Sequence, residues 1–181
     1  MVVVEYDKKW PDNFLKIKDL LKKVLSMTCQ IQHVGSTSIP GMKAKPIIDI
    51  DVGLENWSDF EKVKSELATI GYLHEGDRGI TGREAFCRDG KVFNEFLDTI
   101  DHHLYVCSVD NEEYKRHILF RNYLRSHNEA RDRYNQIKEE ILAKVGSENR
   151  TGYVQMKEDE YRDFFEEIIE KAKALTINTL S

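Results

Sequence analysis

The run Ile47-Ile48-Asp49-Ile50-Asp51-Val52 constrains this chain more than any other stretch. Isoleucine and valine alternate with aspartate at the two-residue period of a β-strand, so one face is dry and the other carries two carboxylates. Charges inside an apolar strand cost free energy unless something nearby neutralises them. The dry face must therefore pack on a core, and the other must open onto a counter-charge. Two residues apart on a strand, the Asp49 and Asp51 Cα atoms lie ~7 Å apart on the same side. Hard divalent cations such as Mg²⁺ or Mn²⁺ suit that arrangement, taking one or two carboxylates and completing their shells with water and phosphate oxygens. Upstream, Gly35-Ser36 is a turn where the backbone approaches a ligand closely and a hydroxyl is at hand. A short helix starting at Thr37 or Ser38 would add free N–H groups for an anion. Phosphate donors beside metal-binding carboxylates make a workable triphosphate site.

The rest of the chain supplies the frame. Pro11 with Phe14, Ile17, Leu21 and Val24 predicts an N-terminal helix, and residues 31–34 predict a strand before Gly35. Ser58 and Glu61 form a capping box ahead of Phe60, Val63, Leu67 and Ile70, a helix that Gly71 closes. Asp89-Gly90, between REAFCR and KVFNEF, predicts a hairpin, and the stretch HHLYV from His102 predicts another strand. From Asp110, with Glu113 as its capping partner, the pattern is helical to the end. The reading is one domain over residues 1–181, α+β, with a mixed sheet flanked by helices and a helical C-terminal part.

Gly35, Ser36, Thr37, Pro40, Gly41, Lys45, Pro46, Ile47, Ile48, Asp49 and Ile50 together resemble the core string of the GrpB (UPF0157-type) family. Gly-Ser followed by Asp-x-Asp on a strand also resembles the signature of the polymerase β-like nucleotidyltransferases. Weaker similarities extend from Tyr6-Asp7 through Gly82-Arg83, His103-Leu104 and the helix Phe120-Arg121-Asn122-Tyr123-Leu124-Arg125 to Tyr153 and Lys157. The resemblance implies a nucleotidyltransferase-like fold and transfer of a nucleoside monophosphate from a triphosphate to an acceptor, with Mg²⁺ or Mn²⁺ as cofactor. It implies metal binding by Asp49 and Asp51, and triphosphate contacts by Gly35, Ser36 and Thr37. Lys45, Arg83, Arg121 and Lys138 are the implied phosphate or substrate contacts, joined by Lys157.

The sequence departs from that pattern at a third carboxylate. The HHLYV strand holds His103 in its interior, with Asp101 only at its start, so His103 is the candidate general base. Asn122 and Tyr105 replace residues more usual in the family. These departures keep two other readings in view: a binding domain for a nucleotide or coenzyme A-related ligand without turnover, and a protein interaction domain.

The net charge of −5 argues against a dedicated nucleic-acid binder. Arg121, Arg125, Arg131 and Arg133 are the one candidate basic surface, although interleaved acids make a solvated mixed face the default. Cys29, Cys87 and Cys107 are an odd number without a C-x-x-C pair, which fits a reducing cytoplasm. No run approaches the ~18 apolar residues of a membrane span, and the N-terminal MVVVEYDKKW has no signal-peptide pattern, so a cytoplasmic protein is expected.

Overall fold

The structure, a computed structural model, describes residues 3–178. Its centre is a five-stranded mixed sheet built from β1 (Cys29–Val34), β2 (Ile48–Leu54), β3 (Tyr72–His74), β4 (Arg83–Arg88) and β5 (His102–Ser108), in the order β1-β2-β5-β4-β3. β2 and β5 run parallel, and every other pairing is antiparallel.

The predicted alternation of β2 sets the two faces of this sheet. Ile48, Ile50, Val52 and Leu54 are fully buried in the main core with Leu104 and Val106 of β5. Helices α1 (Lys9–Val24) and α2 (Phe60–Thr69) supply the other half of that core. On α1 the helical spacing buries Trp10, Phe14, Ile17 and Leu21. Each such side chain is worth roughly 2 kcal/mol in removed apolar surface. The opposite face presents Gln30 and Gln32 on β1, Asp49, Asp51 and Gly53 on β2, and His103 and Tyr105 on β5, as the register and the period of two require.

That second face is roofed by α4 (Glu112–Ser126), α5 (Asn128–Val145), α6 (Arg150–Glu160) and α7 (Arg162–Asn178). They have their own core, in which Leu124, Tyr134, Ile137 and Ile141 close over Ile39 and Met42 from the segment after Gly35. Gly53 fixes where α4 rests. A Cβ there would lie 2.6 Å from the Tyr114 ring, so the missing side chain is the seat of that tyrosine. Among the described residues no helix is long and apolar enough to cross a membrane.

Four local expectations are corrected. The Asp89-Gly90 turn does not make a hairpin with the segment that follows it. Arg88 donates to the carbonyls of Ile70 and Val92 and to Asp98, and Asn94 caps a short helix, α3 (Glu95–Thr99), where a strand was expected. β4 pairs instead with β3 and β5. Asn56 takes the place of Ser58 as cap, opening a 3-10 turn ahead of α2, and Asn111 takes the place of Asp110 on α4, accepting from the Glu113 and Tyr114 amides. Asparagine is as good a cap as serine or aspartate, so sequence left the choice open. Finally, the helix expected from Thr37 is a single 3-10 turn, Ser36–Ser38.

Candidate functional site

Asp51 is completely buried and Asp49 half-buried, and each is met by an imidazole. The parallel register sets His103 beside Asp49, and His103 Nδ1 lies 2.9 Å from Asp49 Oδ1. A carboxylate only accepts, so Nδ1 carries a proton, and in the neutral ring the free lone pair is on Nε2. His117 of α4 approaches from the helical roof, its Nδ1 2.7 Å from Asp51 Oδ2. Burial works against the His117 imidazolium, but the hydrogen bond to Asp51 and its negative charge outweigh it, and the ring holds its proton above the usual imidazole range. These two histidines are how an apolar strand tolerates its aspartates.

Each carboxylate keeps one oxygen for something else. Asp51 Oδ1 is buried and has no hydrogen-bond partner among the described residues, a costly state for a carboxylate oxygen. Asp49 Oδ2 lies against Gly35. That glycine has φ +67° and ψ −175°, a conformation essentially reserved for glycine, and an added Cβ would sit 2.2 Å from this oxygen. Among the described residues no three histidine, cysteine or carboxylate groups converge as a closed metal site. Two carboxylates on one strand face, with Asp49 lining the main cleft, fit the habits of Mg²⁺ or Mn²⁺, and the orphaned Asp51 Oδ1 is the observation that supports the fit.

Of the predicted phosphate contacts, Ser36 and Lys138 come together. Lys138 is buried on α5, and its Nζ donates to Ser36 Oγ at 2.8 Å and to the Lys43 carbonyl, 4.3 Å from the Tyr134 ring centroid. Burial and the charge of Lys157 bring its pKa down to about 7. Ser36, Thr37, Lys45, Asp49, His103 and Lys138 line one hollow of about 170 Å³. Thr37 is buried, and its hydroxyl donates to the Ile47 carbonyl and accepts from His33, so it braces the turn from within. Arg83 lies over Tyr105, with its Cζ 4.3 Å from the ring centroid and its buried Nε unpartnered.

Arg121 lines the main cleft and also braces the fold. Its guanidinium is buried and donates to Gln32 Oε1, the His33 carbonyl and Asn122 Oδ1, bracing α4 on β1 at the wall of the cleft. The candidate basic surface likewise resolves into local pairs. Arg125 holds the Ser38 carbonyl, Arg131 meets Asn128 and Asp132, and Arg133 meets Glu140.

A cleft of about 660 Å³ between the carboxylate face and the helical roof joins these parts. Gly35, Ser36, Asp49 and Tyr105 form its floor. Phe120, Tyr134, Lys157, Arg162 and Phe165 stand across from them. His117 is the residue that sequence reasoning missed. The signal was the four-residue spacing of His117, Arg121 and Arg125, which lays a polar stripe on the inward face of α4.

A mixed sheet carrying paired aspartates next to a glycine-serine turn, beneath a helical roof, defines a nucleotidyltransferase-type fold. The Cid1 poly(U) polymerase bound to MgATP superposes on 79% of this chain and 45% of its own, with TM-score 0.55 and 15% identity. Cid1 in complex with the UTP analogue UMPNPP does so with TM-score 0.52 and 14% identity, covering 79% and 43%. At such identities the likeness is one of fold alone. The chain belongs to the GrpB family, whose profile (GrpB protein) matches residues 1–171. It is 32% identical over 171 residues to the glutamate-rich protein GrpB of Alkalihalophilus pseudofirmus, covering 93% of this chain and 94% of that one. The crystal structure of GrpB from Enterococcus faecalis matches with TM-score 0.77 and 30% identity, covering 94% and 98%. UPF0157 protein YqkA of Bacillus subtilis is 33% identical over 142 residues, 78% of this chain, which spans only 39% of that relative's length.

Proposed function

We propose that this chain is a metal-dependent nucleotidyltransferase that moves a nucleoside monophosphate from a nucleoside triphosphate to an acceptor hydroxyl. The observation that carries the reading is the pair of carboxylates, Asp49 and Asp51. Each is held by one histidine through one oxygen and keeps the other, on the face that meets Gly35-Ser36. A divalent cation bound there would neutralise the triphosphate and the charge that builds on its oxygens during displacement. Lys138 and Ser36, with Lys45 and Arg83 nearer solvent, hold the phosphates. Lys157, Arg162 and the aromatic residues of the roof bound the space for the nucleoside. Facing β2, β5 offers His103 and Tyr105 where a third carboxylate would stand, so His103 Nε2 is the group that takes the acceptor proton. As that proton leaves, the acceptor oxygen forms its bond to the α-phosphorus. The bond from that phosphorus to the pyrophosphate oxygen breaks, and pyrophosphate departs with the electron pair.

Calorimetry with Mn²⁺ and ATP tests the site. The chain should bind the pair together, and Asp49→Ala with Asp51→Ala should abolish that binding. Unchanged affinity in the double variant would sink the assignment. The absence of a carboxylate opposite the pair favours one alternative, a nucleotide- or coenzyme A-related ligand-binding domain without turnover. Triphosphate binding with no pyrophosphate release across a panel of acceptors would select it.

A further inference from the structure

Three hollows meet around Asp49 and His103, and their charges are segregated. The main cleft and the small hollow beside Lys138 carry an excess of cations: among the described residues Lys45, Arg83, Lys157 and Arg162 form no salt bridge, against one such acid, Glu158, while Arg116 takes up Glu113 and Glu166 and Arg162 lies within electrostatic reach of Glu166. The third hollow, of about 320 Å³, opens on the far side of His103, between β4, β5 and the segments 75–78 and 98–101. Its cations are already matched. Arg88 is held by Asp98 and two carbonyls, and Arg78 by Glu75. The charge left over there is negative: Asp101 is exposed, and among the described residues its carboxylate has no hydrogen bond or salt bridge, its charge being felt by His102.

His103 lines this third hollow as well as the small one, and its Nδ1 is committed to Asp49. In the neutral ring Nε2 is therefore free to receive a proton from a hydroxyl lodged there. A polyanion suits the first two hollows and is repelled by the third. The volume is near the lower end of the roughly 300–1,000 Å³ of small-molecule sites. Resting on the nucleotidyltransferase reading above, we propose that the third hollow is the acceptor site, and that its occupant is a small hydroxyl compound bearing an amino group, not the end of a nucleic acid. Its hydroxyl proton passes to His103 Nε2, its oxygen bonds to the α-phosphorus, and pyrophosphate leaves toward the cationic side. Its ammonium pairs with Asp101.

The test uses the full chain with Mg²⁺ and α,β-methylene ATP, followed by amide-resolved NMR. Glucosamine, glucose, glucose 6-phosphate and a short RNA oligonucleotide serve as probes. Glucosamine should shift the amides of residues 75–78 and 101–105. Its affinity should fall about fivefold in Asp101→Asn, the scale of a rim-exposed ion pair, and glucose should bind more weakly by a similar factor. Glucose 6-phosphate and RNA should leave these amides unmoved. Equal binding of the three sugars, no movement of these amides with any probe, or movement with RNA overturns the acceptor assignment while the nucleotide analogue still shifts residues 35–37. If the analogue itself shifts nothing at residues 35–37, the parent reading fails and the acceptor site with it.

Discussion

Replacing Gly35 by alanine separates two effects that the structure superimposes. The first is conformational: at φ +67° and ψ −175°, a non-glycine residue costs about 1–3 kcal/mol. The second is contact. The new methyl would lie 2.2 Å from Asp49 Oδ2 and 2.9 Å from Asp49 Cγ, so the carboxylate must swing away and release His103. That hydrogen bond is partly exposed and adds about 1 kcal/mol. The sum is a loss of about 2–4 kcal/mol, measurable by urea unfolding from the shift in midpoint at constant slope. Gly90→Ala is the matching control, since Gly90 has φ +69° but nothing within 4 Å of the added methyl. It should cost about 1 kcal/mol. Because the swing also removes an oxygen from the proposed metal site, Mn²⁺–ATP affinity should fall at least about tenfold in Gly35→Ala, about 1.4 kcal/mol, and stay unchanged in Gly90→Ala. Equal destabilisation of the two variants, with ion binding intact in both, would show that Asp49 is not seated against Gly35.

Other perturbations follow from the same contacts. His33 is buried, stacked on Phe14 at 4.8 Å, and burial with the charge of Arg125 brings its pKa down to about 4. Its folded value lies below the unfolded one, so its contribution is complete above about pH 6.5 and is lost as the pH falls toward 4. At most about 3 kcal/mol disappears across that window, and the loss should be absent from a His33→Phe chain followed by urea titration at each pH. Lys138 is depressed in the same sense, and its neutral form is favoured in the fold. Stability should therefore climb from pH 7 toward 10, and Lys138→Met should be at least as stable as the parent at pH 7 while losing triphosphate affinity by calorimetry. Gly53→Ala pushes Tyr114 off the sheet and should cost about 1–3 kcal/mol by thermal unfolding. The same shift moves α4 and should loosen the His117–Asp51 contact, seen as a changed His117 titration by NMR.

Local patterning made much of this molecule readable from its residues. The alternation in β2 fixes both which strand it is and which face is polar. The helical spacing of Phe14, Ile17 and Leu21 likewise marks the buried side of α1. The chain could not announce pairings that depend on distance in sequence. Nothing near Asp51 names His117, 66 residues away, because the contact exists only once Tyr114 has settled into the space over Gly53. Arg88 shows the same limit from the other side: Asp89-Gly90 is a sound turn signal, but hydrogen bonds from the preceding arginine to Val92 and Asp98, with a third to Ile70, draw the following segment away from a strand.

Arg121 shows why residue type alone leaves more than one role open. An arginine amid a helical basic stripe has the right chemistry for phosphate, and also the right length and five donors for bracing a helix against a strand edge. Which role it takes is decided by burial. Here the guanidinium is inside, with the Gln32 amide and the His33 carbonyl as acceptors, and Lys138, reached from the next helix, takes the position beside Ser36. The same logic bears on the missing carboxylate. The parallel register of β2 and β5 sets His103 opposite Asp49 and Tyr105 opposite Asp51. Both positions facing the aspartate pair are therefore occupied by side chains other than acids. Under the proposed transferase reading, the acceptor proton would go to the imidazole of His103, oriented by its contact with Asp49, and turnover would depend on His103 in place of a third acid.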